Sequence, residues 1–318
     1  MPATPRPARV RRTVLAVPGS SDRFIAKART LAVDTLFLDL EDAVAPAVKQ
    51  ESRQRIVDAL LDPAGFAAPT VTVRVNDWST PWTFRDVEVV VGGAGAKIDC
   101  VLLPKVTSAA QVVALDLLLT QVEQERGLVV GGIGIEAQIE EARGLIHVNE
   151  IAASSPRLET LVYGPGDFMA AMGMAGLNVG AQPGGYPADA FHYVMMAILV
   201  AARAHGLQAI DGPFVAIRDT AGFEVAARRA AALGYDGKWV LHPDQVEAGT
   251  RIFSPDPADL ARARPILDAY AAAGTREGGA RGAIVVDDEM VDEAGVKLAA
   301  AIVARGGAVS SAAGKEQA

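Results

Sequence analysis

Cysteine occurs once in the 318 residues, at position 100 within an apolar run, so no internal disulfide can form. Nothing beside it in sequence would stabilise a thiolate, and a lone buried cysteine behaves as a small hydrophobe. Histidine is scarce too: His147, His192 and His205 fall on helix-like stretches and only His242 falls at a strand end, which is no metal-binding cluster. Apolar runs stay well short of the roughly 18 residues of a membrane span, so no membrane partner is expected. The Arg- and Pro-rich first twelve residues lack the apolar core of a secretory signal, and a cytoplasmic protein is expected. A basic balance is missing as well. The net charge of −8 argues against a nucleic-acid partner, while leaving room for a local basic pocket.

What the chain does have is a rhythm. Eight short apolar segments, at 14–17, 35–40, 71–75, 100–103, 133–139, 158–163, 207–210 and 238–241, each run into polar or glycine residues. Helical patterns separate them at 22–31 (capped by Ser20 or Ser21), 47–61, 108–125, 141–152, 187–205, 219–233 and 256–272. Eight β-then-α units predict an α/β fold, a closed (β/α)8 barrel whose reactive face lies at the carboxyl ends of the strands. Such a barrel takes about 250 residues. It is therefore assigned to 1–273, with 274–318 a C-terminal extension: a glycine-rich connector over 273–282 and one amphipathic helix over 290–304. Residues 1–12 read as a disordered or draped tail, and 175–186, rich in Gly and without periodicity, as a long loop over the mouth.

Strand alternation sorts the polar residues. Gly134, Glu136, Gln138 and Glu140 share one face of the fifth segment; Thr72, Arg74 and Asn76 share one of the third; Asp39 and Glu41 alternate with Leu38 and Leu40. The apolar faces must meet the helices, so the charged ones point into the barrel, where they need partners or a metal. Glu140 and Asp167 end consecutive strands. Close carboxylates call for a shared proton or a cation, and oxygen ligands suit Mg²⁺ first and Mn²⁺ second. The alternative is a salt-bridge network with Arg74 and Lys105. Glu41 and Asp42 reach the same mouth and could bond the metal's waters. Arg74 suits a carboxylate or enolate-like oxygen, or else structural pairing with Asp39 or Glu41. Lys105 reads as a Schiff-base lysine or an ion-pair partner. Pro18-Gly19-Ser20-Ser21 before a helix is a weak phosphate cradle, with Arg23 and Lys27 adding charge. The acids from Asp287 to Glu293, Asp292 among them, suit a helix start whatever else they do.

The segments VPGSSDRFIAKA, FLDLEDAVAP, VRVN, LPKV, EAQIEEARGL, IAASSPRLETLVYGPGDFMAAMG, IDGPF and GKWVLHPDQV, in this order, resemble the CoA-ester lyases of the HpcH/HpaI aldolase superfamily. Malyl-CoA lyases are the nearest branch, with citrate lyase β subunits and citramalyl-CoA lyases as relatives. The resemblance implies a barrel with a C-terminal lid and Mg²⁺ on Glu140 and Asp167. It implies Arg74 on the thioester enolate with Glu41 and Asp42 beside it, and Asp292 as acid/base supplied to a neighbouring subunit. Coenzyme A contacts would come from Arg23, Lys27, Lys105, Gly166, Leu241 and His242. The implied assembly is a homotrimer or homohexamer. The implied reaction cleaves malyl-CoA, or β-methylmalyl- or citramalyl-CoA, to acetyl- or propionyl-CoA and an α-keto acid such as glyoxylate or pyruvate. A malyl-CoA thioesterase and a citrate-lyase-type subunit working with a carrier protein are the alternatives; a non-catalytic CoA-binding protein is a third. Three departures stand out: Ser21 where relatives often carry a basic residue after PGS, DDEMVD where their lids read DGKMID or DGRLID, and the short Gly-rich loop 175–186.

Overall fold

In the computed structural model, which describes residues 9–275, 279 and 282–315 with side chains through 307, the eight apolar segments are strands. They are β1 (Thr13–Pro18), β2 (Thr35–Asp39), β3 (Thr70–Arg74), β4 (Cys100–Leu103), β5 (Gly134–Ile139), β6 (Leu158–Tyr163), β7 (Gln208–Asp211) and β8 (Gly237–Val240). All pair in parallel in sequence order, and β8 closes on β1. The helices are α1 (Asp22–Ala28), α2 (Lys49–Leu61), α3 (Thr83–Asp86), α4 (Gly92–Ala94), α5 (Ala109–Arg126), α6 (Ala142–Ile146), α7 (Val148–Ala152), α8 (Pro165–Ala171), α9 (His192–Ala204), α10 (Thr220–Leu233), α11 (Val246–Phe253), α12 (Pro257–Ala273) and α13 (Glu293–Lys315). The helix starts follow local chemistry: Ser21 Oγ accepts from Phe24 N, Asp219 from Gly222 N and Asp256 from Ala258 N.

Alternation decides the packing. Outward residues such as Leu36, Leu38, Ile135 and Leu161 are fully buried under the helices. The inward set forms an apolar layer of Val14, Phe37, Leu102, Val162, Ile210 and Trp239. Below it, Arg11 is buried inside the barrel, where its guanidinium meets Glu136 and Glu159. Above it lies the mouth. The expected draped tail is corrected here: Arg11 plugs the barrel and Arg12 pairs with Asp34, while residues 1–8 fall outside those described.

Other differences have local causes. The stretch between β3 and β4, given no element from sequence, holds α3, a π-helical turn (Val87–Val91) and α4. Asn76 turns to this helix, its amide groups bonding Asp86 at 2.9 and 2.6 Å, rather than facing the barrel interior. The helix expected over 141–152 breaks at His147 into α6 and α7, and α9 begins at His192, not at 187.

The described chain divides into two compact units, the barrel from Arg11 to Phe253 and a unit from Ser254 onward that also takes in Arg9 and Val10. The boundary expected after 273 therefore falls earlier, because α12 packs with α13. The glycine-rich connector lies partly outside the described residues (276–278, 280 and 281). The helix expected over 290–304 starts later. Ile284–Val286 (β9) and Glu289–Val291 (β10) form an antiparallel hairpin first, turning through Asp287 and Asp288 at φ of 49° and 61°.

Candidate active site

At the barrel mouth the register sets Asp39 beside Arg74 on adjacent strands. Arg74 Nε and Nη2 donate to the two Asp39 oxygens at 2.7 and 2.8 Å, and Nη1 lies 3.1 Å from Glu41. Its guanidinium sits over Phe37 and Trp239, 5.5 and 5.4 Å from the ring centroids. Burial alone would lower its pKa; the Asp39 charge and hydrogen bonds outweigh that and hold it above the usual arginine range. Asp39 also accepts from Glu41 N and Ala43 N, which fixes the turn carrying Glu41 and Asp42. Both alternatives for Arg74 thus bear on one residue: it is paired with Asp39 and Glu41, and it still lines the mouth.

Lys105 ties the two sides of the mouth together. Its ammonium bonds Glu41 and lies 3.4 Å from Asp42 and 3.9 Å from Asp167. Burial opposes its charge, but the Glu41 bond and the surrounding carboxylates win and raise its pKa. A Schiff-base role needs the neutral amine, whereas the contacts here are those of an ion-pair partner. Lys105 also adopts φ of 50°, unusual for a residue with a side chain. In that conformation its N–H donates to Glu140 Oε1 at 2.8 Å.

Glu140 is fully buried, and its other oxygen accepts from Gln138 Nε2 at 2.5 Å. Burial, and then the charge of Asp167, pushes its carboxyl up to about 8. Burial likewise pushes Glu41 up to about 7, against the pull of Arg74. Gly164 makes room for this pair, since a Cβ there would fall 2.2 Å from Glu140 Oε2. Asp167 lies in the first turn of α8, past Gly164-Pro165-Gly166. Among the described residues no group of three or more His, Cys, Asp or Glu is gathered as a metal cage. Two carboxylates are, which fits a hard cation that keeps most of its waters and relieves the repulsion between them.

Asp39, Asp42, Arg74, Gln138, Glu140 and Asp167 line one cavity of ≈ 580 Å³, while Glu41 stands behind its wall against Arg74 and Lys105. Of the expected contact residues, Lys27, Gly166, Leu241 and His242 line it, while Lys105 stands at its edge through Asp42 and Asp167. Arg23 does not line it. Its guanidinium stacks 4.7 Å from the ring centroid of Phe24, which does. Val179 of the 175–186 loop contributes to the wall. Asp292 lies in the other unit, where it caps α13 by accepting from Ala294 N at 2.9 Å. Gln138, Trp239 and Phe24 received no task from the sequence. Alternation put Gln138 next to Glu140, which was the available signal; nothing marked the two aromatics.

Residues 12–243 match the family model described as HpcH/HpaI aldolase/citrate lyase. The chain belongs to that family. This member is 38% identical over 96% of its length, and 98% of the relative's, to an L-malyl-CoA/beta-methylmalyl-CoA lyase of Cereibacter sphaeroides. It is 34% identical, over 94% of its length and 96% of the relative's, to a (3S)-malyl-CoA thioesterase of the same species. Among solved structures it resembles CitE of Mycobacterium tuberculosis in complex with magnesium, acetoacetate and coenzyme A, with a TM-score of 0.72, 31% identity and 94% and 98% of the two chains covered.

Proposed function

We propose that this protein is a magnesium-dependent lyase that cleaves malyl-CoA reversibly to acetyl-CoA and glyoxylate, with β-methylmalyl- and citramalyl-CoA as alternative substrates. The observation that carries the reading is the Glu140–Asp167 pair beside Arg74 in a cavity whose wall bears Lys27. Support comes from the 38% identity to a lyase of that description and from the magnesium and coenzyme A bound by the CitE structure.

Glu140 and Asp167 would hold Mg²⁺, or Mn²⁺ in its place, and the bound ion would chelate and acidify the substrate's hydroxyl beside its carboxylate. The rest falls to the chain itself. Arg74 commits two of its five N–H groups to Asp39 and sets Nη1 beside Glu41, which leaves donors for the thioester oxygen as charge moves there. Glu41 and Asp42, clamped by Lys105, orient the polar side of the pocket. Lys27 meets the phosphates of coenzyme A, with Gly166, Leu241 and His242 along the same wall. Phe24, Leu31 and Val179 supply the apolar wall that keeps water from the enolate. Asp292 of a neighbouring subunit, in a homotrimer or homohexamer, exchanges the proton at the enolate carbon.

Glu140→Ala and Asp167→Ala should each abolish release of glyoxylate from malyl-CoA, as should EDTA. Turnover that persists in EDTA would end the proposal. The similarity to a malyl-CoA thioesterase keeps a second reading open, in which water attacks the thioester. Malate plus free CoA as the only products would establish that one.

A further inference from the structure

Gln138 stands two residues before Glu140 on the inward face of β5, buried, and it lines the cavity. Its Nε2 donates to Glu140 Oε2 at 2.5 Å, while its Oε1 is buried with no hydrogen-bond partner among the described residues. On the adjoining strand end, a Cβ on Gly164 would come 2.9 Å from Gln138 Nε2 and 2.2 Å from Glu140 Oε2, so β6 runs out without a side chain where this pair sits. The other Glu140 oxygen is held by Lys105 N at 2.8 Å. One fixed donor on each oxygen holds the carboxylate against rotation and leaves a lone pair on each oxygen for a ligand. An unpaired buried amide oxygen is costly unless a ligand brings the missing donor. A hard cation brings such donors, because it retains bound waters.

We propose that Gln138 is a positioning residue for a divalent-cation site: its N–H group clamps Glu140 and its carbonyl receives a hydrogen from a water kept on the ion. This rests on the cation reading above and adds the residue that tunes it. Partners of this kind typically change metal affinity by about 10- to 100-fold.

The test is a Mn²⁺ titration of wild type, Gln138→Met and Gln138→Ala, with free Mn²⁺ read by electron paramagnetic resonance. Thermal midpoints of the ion-free proteins are measured alongside. Met keeps the volume of Gln but neither donates nor accepts as an amide does. Both variants should bind Mn²⁺ about 10- to 100-fold more weakly while the ion-free midpoint of Gln138→Met stays near that of wild type. A Gln138→Met protein that binds within about threefold of wild type would show that Gln138 only fills space, and the inference falls. Should the Met variant fail to fold, the Ala variant decides by the same criterion. Wild type that binds no Mn²⁺ at all would instead overturn the proposed function, and this inference with it.

Discussion

Arg74 joins a structural load to a chemical one, since its guanidinium bridges Asp39 and Glu41 while sitting over the packed rings of Phe37 and Trp239. Arg74→Lys keeps the charge but loses the bidentate fork. It should lower lyase turnover by about 100-fold or more, as removal of a comparable donor does elsewhere. Arg74→Ala also strands Asp39, buried and unpaired, and should cost on the order of 3 kcal/mol in urea unfolding. The mouth carboxyls predict a pH dependence. Glu140 and Glu41 titrate near 8 and 7 in the fold, above the 4.5 of an ordinary glutamate. Between those values the folded protein therefore holds more protons than the unfolded chain, and ion-free stability falls as pH rises. The thermal midpoint in EDTA should drop between about pH 4.5 and 8, and added Mg²⁺ should restore more of it at the alkaline end. A flat ion-free profile would contradict the burial of Glu140. Asp292 has two readings that one substitution separates. Asn caps a helix as well as Asp does, so Asp292→Asn should leave the midpoint unchanged and cut turnover by about 100-fold or more if the carboxylate exchanges a proton.

At the scale of elements, the end of β6 depends on a missing side chain. Gly164→Ala would force a methyl into Glu140 Oε2 and should lower both Mn²⁺ affinity and turnover; unchanged Mn²⁺ binding would mean that Glu140 has room to move. The β9–β10 hairpin turns through two aspartates in the left-handed region. Asp288→Gly relieves that conformation and should stabilise the hairpin by about 1 kcal/mol, read as slower amide hydrogen exchange across Val285 and Met290. This hairpin escaped the sequence reading for a physical reason. Strands of three residues are too short to show a period, and Met290 and Val291 stand so close to α13 that they continue its apolar stripe. The helix between β3 and β4 was missed for a different one: Val87–Val91 is a β-branched, π-wound run held by buried contacts and by Asp86 with Arg53 and Asn76. Tertiary packing overrides propensity there.

For the whole molecule, the behaviour that matters is how the products partition. Malyl-CoA incubated with Mg²⁺ should yield glyoxylate and acetyl-CoA in equal amounts, with free CoA a minor product, measurable by chromatography of the reaction mixture. The barrel behind that reaction was legible because eight strands buried on both faces must each be a short apolar run, and because polar residues at their ends recur with the β/α period. Alternation alone placed Asp39, Arg74 and Glu140 inside, and the ordered motifs placed the chain in its family. The sequence by itself determined the set of charged groups brought to the mouth. The tertiary structure decided how they are shared: which carboxylate takes the guanidinium fork, which oxygen of Glu140 receives the Lys105 amide, and that Gln138 stands ready with an unpaired carbonyl. Those assignments follow from the stagger between neighbouring strands and the turn after each, which a one-dimensional pattern does not carry.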